Sequence, residues 1–463
     1  MKTKQLETKY PIKVFLLASP VYWPDAEKRQ AQFKTVETCL RDNDSLFETE
    51  YIDSQEAATE ASNKGKNEAC ILIALSGGIQ PWMQLISKDR DHLALFNAYL
   101  PEALPVKISG PLMHANAHPA STDFYAYCRQ KGKSIQWLTS LEELRDYALA
   151  WQGVCRLKNA RFLKIGETEP WVINSCRSPE TIKERVSCTV IPKERNQLYS
   201  IYQTINKEEA ASEASRWTDK NKGLIGIGEE DILKACRVTL AMKQILESHE
   251  ADGLSMACFA MIGDIDTTSC LALSALNDSA NEIGACEGDL DAALTLYLLK
   301  AMGADFVWIG NPIIHPDNTI DLAHCTAPTC ACGSQLNFKL MRHHESGRGV
   351  SPEVELPGDQ IASAVRISVN AQSIVCHVGT TERQKKFPAC HTQIRLHVES
   401  SQKVLDSLPG THLVLSYGDF GKRIEFASHF LEFENHSSQT TEPAVAGRNE
   451  RTGILSLKNL ATA

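Results

Sequence analysis

The sequence predicts an α/β fold, with two successive units built on parallel sheets followed by a C-terminal antiparallel sheet or barrel. Near-continuous apolar segments end in glycine-containing loops and alternate with helix-like stretches, which is typical of parallel strands covered on both faces. Beyond residue 333 the pattern changes to short, β-branched-rich segments of alternating polarity. The length of 463 residues allows about three domains.

The first α/β domain is predicted to span residues 1–155. Its expected elements are strands at 12–18, 69–75 and 105–108 and helices at 26–40 and 140–152. Gly77 and Gly78 follow the second of these strands, but the loop lacks both the GxGxxG spacing and the lysine of a nucleotide-binding motif. We therefore expect these glycines to pack closely against a ligand or a neighbouring subunit.

The second α/β domain is predicted to span residues 156–332. It opens with a strand at 161–165, and its later part is expected to contain strands at 254–262, 282–285 and 306–309 with helices at 269–276 and 290–302. The last three strands are each followed by a polar residue: Asp264, Glu287 and Asn311. Ligands of open parallel sheets bind in the crevice outside the carboxyl ends of the strands, so this edge is the candidate site.

The third domain, residues 333–436, is predicted to be of all-β or α+β type. Its strands are expected at 361–369, 373–378, 392–398 and 413–416, separated by glycine, proline and asparagine. The polar segment at 437–463 is predicted to be a mobile tail.

Composition excludes several classes of protein. With 43% hydrophobic and 23% charged residues, the chain has the composition of an ordinary globular protein. The net charge of -9 gives no reason to expect a nucleic acid or an anionic membrane as partner. Fifteen scattered cysteines do not form a disulfide framework, and we find neither a signal peptide nor a membrane-spanning segment. A cytoplasmic protein with reduced thiols is the simplest expectation.

Two side chains are the first candidates for chemistry. Glu287 ends a short strand and precedes a helix, so it either faces the crevice or stabilises the helix dipole, a role that Asp289 or Asp291 could equally fill. His324 follows a strand-like run, although a single histidine is more often structural than a ligand. Of the neighbouring His343 and His344, at most one is expected to point at a given site.

A structural zinc site is an alternative interpretation. Cys325, Cys330 and Cys332 lie beside His324, and thiolates and imidazole are zinc ligands. The spacing argues against this alternative, because structural zinc sites usually combine two separated CxxC-type pairs and no second pair is evident.

Three motifs resemble a known family. Cys-Glu-Gly-Asp-Leu-Asp-Ala-Ala-Leu-Thr at 286–295, Gly-Asn-Pro at 310–312 and His-Cys-Thr-Ala-Pro at 324–328 are similar to the L-fucose isomerase and L-arabinose isomerase superfamily, especially its L-fucose isomerase-like branch. The likeness is strong over residues 254–330 and looser elsewhere.

The resemblance implies a three-domain protomer, with two Rossmann-like or flavodoxin-like α/β domains and a C-terminal β-barrel-like domain. It implies a homo-oligomer, a trimer or hexamer, whose active site lies at a subunit boundary. Members interconvert aldose and ketose monosaccharides through an enediol, usually with manganese. Glu287 corresponds to the family's metal ligand and acid/base, and His324 and His412 correspond to its histidines.

The sequence departs from the family pattern at two positions. Asn311 stands where the best-known sugar isomerases carry a second carboxylate; its amide oxygen can bind a metal but cannot take a proton. Either Asp264 or Asp289 is the partner base, or the branch handles the proton differently, or the protein binds a sugar without isomerising it. His391 stands where relatives often have arginine, and it is predicted to contact substrate together with Gly77, Gly78 and His344.

Overall fold

The carboxyl ends of one parallel sheet meet a closed barrel in this protein, and this junction positions the candidate site. A computed structural model describes residues 9–41, 46–65, 68–99, 104, 113–331 and 333–437. The described residues form mixed α/β structure with parallel sheets and a closed six-stranded antiparallel barrel. None of the helices among them combines the length and apolarity needed to cross a bilayer.

The first sheet has five parallel strands in the order β2-β1-β3-β4-β5, the order of flavodoxin-like sheets. All five residues of β3 are buried, as expected for a strand covered on both faces. The strand predicted at 105–108 lies outside the described residues, and β4 and β5 were not predicted. The elements are β1 (Ile12–Leu17), α1 (Ala26–Leu40), β2 (Phe47–Ile52), α2 (Gln55–Asn63), β3 (Cys70–Ala74), α3 (Gln80–Ser87), β4 (Leu93–Phe96), α4 (Met113–Gln130), β5 (Ile135–Leu138) and α5 (Leu141–Asn159).

The second stretch of the chain builds a four-stranded parallel sheet in the order β10-β9-β6-β7. The strand predicted at 254–262 ends at Met256, and a helix that includes Asp264 follows it. The elements are β6 (Arg161–Ile165), α6 (Pro179–Val186), β7 (Thr189–Lys193), α7 (Arg195–Thr204), α8 (Lys207–Thr218), β8 (Leu224–Ile225), α9 (Glu229–Ser248), β9 (Gly253–Met256), α10 (Phe259–Ile265), α11 (Cys270–Asp278), β10 (Ile283–Cys286) and α12 (Leu290–Ala301).

The remaining strands form the barrel and two small sheets. The barrel order is β17-β20-β11-β12-β19-β18, and pairing of β17 with β18 closes the ring. The elements are β11 (Trp308–His315), β12 (Thr319–His324), β13 (Cys330–Ala331), β14 (Ser334–Gln335), β15 (Phe338–Met341), β16 (Ser351–Val354), β17 (Ile361–Ser368), β18 (Ser373–Glu382), β19 (Thr392–Val398), α13 (Ser401–Ser407), β20 (Leu413–Tyr417), α14 (Gly421–Leu431) and β21 (Glu434–Asn435).

The strand predicted at 306–309 does not extend the second parallel sheet. Trp308 and Ile309 pair antiparallel with Leu415 and Val414 of β20, so this part of the chain belongs to the barrel. Local apolarity identified a strand here but could not identify its partner. The barrel strands therefore begin well before the domain boundary predicted at residue 333.

Helix α12 joins the second sheet to the barrel. All of its residues except Lys300 are buried, and it contacts β9 and β10 on one side and β17 and β20 on the other. A helix that is apolar all round is expected between two packed layers. Because Glu287 and Asp289 immediately precede this helix, they are held where the sheet meets the barrel.

Cysteines of the described residues are all free thiols, which agrees with the expectation that they form no disulfide framework. Most are buried within the cores, whereas Cys330 is exposed. The predicted tail at 437–463 lies almost entirely outside the described residues.

Candidate active site

A small cavity lies at the carboxyl end of β10, closed by residues of the barrel. Its volume is ≈ 20 Å³, room for about one water molecule. Ligand-type side chains dominate its lining: the carboxylates of Glu287 and Glu345, the imidazoles of His324 and His343, the Asn311 amide, and the thiols of Cys258, Cys270, Cys286, Cys325 and Cys390.

Backbone geometry fixes the position of Glu287. The residue follows β10 in the left-handed region, with φ 62°, and Gly288 after it has φ 68°. A Cβ atom at Gly288 would lie 2.7 Å from the Thr168 Cα, so only glycine fits this approach of two backbones. The Glu287 carbonyl accepts a hydrogen bond from the Glu169 amide at 2.9 Å, and Trp171 Nε1 donates to its Oε2 at 2.7 Å.

Two buried histidines meet the other carboxylate oxygen of Glu287. His324 Nε2 lies 3.9 Å from Glu287 Oε1, and His412 Nε2 lies 3.6 Å from the same atom. His412 Nε2 is buried and has no hydrogen-bond partner among the described residues. Three side chains from the second sheet, β12 and the start of β20 therefore converge on one point.

Asp289 holds His412 in place from behind. Its carboxylate accepts a hydrogen bond from His412 Nδ1 at 2.7 Å, from the Arg366 guanidinium at 2.9 Å and from the Ser175 hydroxyl at 2.7 Å. It also caps helix α12 by accepting from the Ala292 amide. Since both oxygens are engaged and the side chain is fully buried, Asp289 is suited to orient His412 rather than to exchange protons with a ligand.

The charges of this group follow from its contacts. Burial opposes ionisation of Glu287, but the imidazoles of His324 and His412 outweigh burial and hold its pKa well below the usual range. Burial also opposes ionisation of Asp289, where Arg366 and His412 lower the pKa. Burial disfavours charged His412, yet the two carboxylates raise its pKa to about 9. Burial lowers the pKa of His324. The site therefore combines two carboxylates, one cationic imidazole and one neutral imidazole.

These residues fit a bound metal ion. Donor atoms of Cys286, Glu287 and His324 all lie within 4.8 Å of one another, and the partnerless His412 Nε2 faces the same Glu287 oxygen. A cation between them would take the place of the proton on His412. Carboxylate and imidazole donors suit several divalent ions, manganese included. The described residues therefore contain groups able to hold a metal ion, in line with the expectation of a metal cofactor.

Some predicted site residues lie in this cavity and others do not. Asn311 lines it from β11. The half-exposed Asp264 lies on α10, where it accepts a hydrogen bond from Tyr199, and it is not part of the lining. Its prediction as a catalytic base rested on placing it at a strand end, which the structure contradicts.

The predicted substrate-binding residues also lie outside the cavity. Gly77 and Gly78 follow β3 of the first sheet and pack against the Tyr22 side chain. His391 Nε2 lies 2.9 Å from the Arg342 carbonyl. Of the histidine pair, the buried His343 lines the cavity, whereas the exposed His344, predicted to contact substrate, is not part of the lining. The pair follows the end of β15 in a turn, where strand alternation does not apply.

Several site residues were missed by the sequence reasoning. Trp171, Arg366 and Glu345 had no signal in their local pattern, because each reaches the site from a distant part of the chain.

Two further residues considered from the sequence are His343 and Cys330. Burial lowers the pKa of His343 to about 4, so this imidazole is neutral. The zinc alternative based on Cys325, Cys330 and Cys332 is not supported by Cys330, whose thiol is exposed and donates to Gln335 Oε1 at 3.8 Å. Cys332 lies outside the described residues.

Comparison with known proteins adds no identification. No family model matches the chain, and no curated protein matches it.

Proposed function

We propose that the protein is a metal-dependent aldose–ketose isomerase, in which Glu287, His324 and His412 hold a divalent ion and Asn311 offers an amide oxygen. The observation that supports this proposal is the convergence of His324 and His412 on Glu287 Oε1, where His412 Nε2 has no hydrogen-bond partner among the described residues. The resemblance of the surrounding motifs to L-fucose isomerase-like proteins indicates the sugar class.

Isomerisation moves a carbonyl between C1 and C2 of a sugar, so a base must serve both carbons while a developing oxyanion is stabilised. A bound divalent ion would supply that stabilisation and would orient two sugar oxygens. Glu287 is ionised because its pKa is held well below the usual range, and Asp289 keeps His412 oriented toward it. Glu345, the other carboxylate of the cavity lining, is the proposed partner for the second proton position in place of Asp264 or Asp289.

The proposed substrate lies partly outside the single chain. A cavity of ≈ 20 Å³ holds an ion or a water molecule, whereas small-molecule pockets usually measure about 300–1,000 Å³. Trp171 is half exposed at the edge of the site, and Ile173 on the same loop is largely exposed. These features support the expectation of a homo-oligomer, a trimer or hexamer, in which a neighbouring protomer completes the sugar site.

The finer assignments are part of the same proposal. Two flavodoxin-like α/β domains followed by a barrel domain, manganese as the ion, and a cytoplasmic location are all proposed from the family resemblance and the residue pattern. Free thiols throughout the described residues support a reducing compartment.

Deuterium exchange tests the proposed reaction. Purified protein with Mn²⁺ is incubated with a panel of aldoses in deuterium oxide, and the expected result is deuterium at C2 together with formation of the ketose. Glu287→Gln is expected to abolish exchange, whereas Glu167→Gln, which removes a highly exposed carboxylate on the neighbouring loop, is expected to retain it. Sugar binding without any exchange at C2 would contradict the proposal.

One observation favours a second candidate function. Asn311 lines the cavity where the best-known isomerases have a carboxylate, so a sugar-binding or regulatory protein on the same scaffold would not need a second base. That function predicts thermal stabilisation by a sugar with no turnover, and Glu287→Gln would leave the stabilisation intact.

A further inference from the structure

A second group of ligand-type side chains lies beside the Glu287 site. The sulfur atoms of Cys270 and Cys325 and one ring nitrogen of His343 all lie within 4.8 Å of one another. The Cys325 thiol also contacts the Cys390 thiol. All four residues are buried, and none of them is used by the proposed isomerase mechanism. We refer to Cys270, Cys325, His343 and Cys390 as the thiol cluster.

The thiol cluster is assembled from four separate parts of the fold. Cys270 is the first residue of α11, Cys325 directly follows β12, His343 follows β15, and Cys390 precedes β19. The three cysteines pack with Ala323, Phe387 and Ala389 in one small apolar cluster. No pair of cluster residues is close in sequence, so the arrangement arises only when α11 packs against the barrel.

The geometry suits a soft, tetrahedrally coordinated ion. Zinc binds cysteine sulfur at ≈ 2.3 Å and histidine nitrogen at ≈ 2.0–2.1 Å, which places neighbouring donor atoms about 3.3–3.8 Å apart. The donor atoms of Cys270, Cys325 and His343 already lie within 4.8 Å of one another and need only a small shift to reach that geometry. Cys390, whose thiol contacts that of Cys325, would move further to become the fourth ligand. Three sulfurs and one imidazole are a donor set for zinc rather than for manganese, which prefers oxygen ligands.

The surroundings of His343 support the same use. Its Nδ1 lies 3.0 Å from the Ser346 hydroxyl. In the tautomer in which Nδ1 donates its proton to this hydroxyl, the hydrogen bond fixes the ring orientation and Nε2 keeps the lone pair that a metal ion needs. Nε2 lies 3.4 Å from the Glu345 carboxylate, so Glu345 is near this cluster as well as near the cavity.

We propose that the thiol cluster is a structural zinc site of the Cys3His type, with ligands different from those of the ion site at Glu287, His324 and His412, although its four residues line the same cavity as Glu287 and His324. Zinc displaces the proton of each coordinating thiol, and the three protons leave to solvent. With four protein ligands the ion has no open position, so it holds α11 of the second parallel layer against the barrel. It also restrains Cys325, whose neighbour His324 belongs to the other site.

Metal analysis of the full chain tests this proposal. The protein is dialysed against metal-free buffer and zinc is counted per chain; separately, Co²⁺ is exchanged in and the thiolate-to-cobalt charge-transfer absorption is recorded. We expect about one tightly held zinc per chain and a strong absorption, both lost in Cys390→Ser and Cys270→Ser. Two matched controls should retain them: Cys330→Ser, an exposed thiol, and Cys236→Ser, a buried thiol of α9.

The Glu287→Gln variant separates the two ion sites. Retention of zinc and of the cobalt absorption in this variant supports a separate site, whereas their loss would place the ion at Glu287 and overturn the proposal. Absence of zinc and of the absorption in the wild type, or their persistence in both cluster variants, would overturn it equally. Failure of the deuterium-exchange test has no bearing on this outcome, because zinc content is read without activity.

A zinc-release measurement on the wild type covers the case in which the serine variants do not fold. The wild-type protein is treated with a mercurial thiol reagent, and the zinc released is read with a metallochromic dye. We expect about one zinc per chain to be released as the reagent takes the sulfur ligands. Release of no zinc would contradict the proposal.

Discussion

The two parallel sheets share a strand pattern but differ at their carboxyl ends. In the first sheet β3 leads into Ser76-Gly77-Gly78, where the Ser76 hydroxyl accepts a hydrogen bond from the Ser19 amide at 2.7 Å and Tyr22 covers the glycines. In the second sheet β10 leads into Glu287-Gly288-Asp289, and the barrel covers this edge. The loop after β3 holds neutral groups, while the loop after β10 holds buried carboxylates with an arginine and two histidines.

The difference shows what the barrel contributes. A carboxylate at an open sheet edge keeps its hydration, whereas a carboxylate covered by another layer must be paired, and its pKa shifts. The barrel supplies those partners, since His324, Arg366 and His412 all come from it. The candidate site is thus a property of the junction between layers, not of the parallel sheet itself.

The largest expected effect concerns a buried arginine in each region. Arg366→Met leaves Asp289 and Asp291 buried without their cation, and we expect a loss of about 3–5 kcal/mol in the free energy of unfolding. Arg90→Met removes a guanidinium that donates only to backbone carbonyls of the first layer, and we expect about 1–3 kcal/mol. Urea denaturation midpoints measure both. Equal losses would show that pairing a buried arginine with buried carboxylates contributes no more than bonding it to backbone carbonyls.

Buried histidines in the two regions predict opposite dependences of the free energy of unfolding on pH. In metal-free protein the pKa of His412 is raised from 6.5 to about 9, so its stabilisation is fully present below pH 6.5 and is lost as pH rises through 9. Burial lowers the pKa of His92 in the first layer to about 4, so its contribution is present above pH 6.5 and is lost as pH falls toward 4.

Asp289→Asn is therefore expected to flatten the stability profile between pH 6.5 and 9, an effect of at most about 3 kcal/mol. His92→Gln is expected to flatten the profile only between pH 4 and 6.5. Melting temperatures of chelator-treated protein across this pH range measure both slopes. Because Glu287 still raises the pKa of His412 in this variant, a shallower fall is expected to remain; a profile of Asp289→Asn as steep as that of the wild type above pH 6.5 would contradict the assignment to His412.

Glycines with nearly equal backbone angles test how tightly each edge is packed. Gly288 has φ 68° and Gly78 has φ 70°, so alanine is strained at both positions. A Cβ at position 288 meets backbone at 2.7 Å, whereas a Cβ at position 78 meets the movable Tyr22 ring at 3.2 Å. We expect Gly288→Ala to cost about 1–3 kcal/mol and to weaken metal binding, and Gly78→Ala to cost about 1 kcal/mol. Thermal unfolding and Mn²⁺ titration provide the measurements; weaker metal binding in Gly78→Ala would argue against the separation of the two edges.

Matched tryptophans give the smallest expected effect. Trp171 Nε1 donates to Glu287, and Trp23 Nε1 donates to the Leu75 carbonyl at 2.9 Å. Trp171→Phe is expected to change Mn²⁺ affinity by no more than about fivefold, equivalent to about 1 kcal/mol. Trp23→Phe is expected to leave the affinity unchanged, since the carbonyl keeps the Tyr99 hydroxyl as a donor. Calorimetric titration measures both affinities. Equal Mn²⁺ affinities in the two variants would show that Trp171 does not contribute to metal binding.

The sequence predicted what depends on local pattern. Apolar runs identified β1, β3, β6 and β10, and the change in alternation identified the barrel strands β17, β18, β19 and β20. Glu287 was predicted from its place between a strand and a helix, and His324 and His412 from their motif context. In each case the neighbouring residues carry the signal.

What depends on distant packing could not be predicted. The strand at Trp308 has the apolarity of a parallel strand, but its partner lies about 100 residues later in β20. Asp264 follows an apolar run that bends into α10 instead of continuing as a strand. The choice between His343 and His344 is made by a turn, and the thiol cluster draws on four elements whose contacts no local pattern specifies.

Barrel closure has a consequence for the order of events in folding. Strand β11 is flanked by β12, its neighbour in sequence, and by β20, which is synthesised much later, so the ring cannot close until the chain is nearly complete. His412 immediately precedes β20, so it reaches the candidate site when β20 joins the barrel. Because the barrel supplies His324, Arg366 and His412, we expect Glu287 and Asp289 to stay hydrated until the ring closes. The chain thereby avoids burying unpaired charge in a partly folded intermediate.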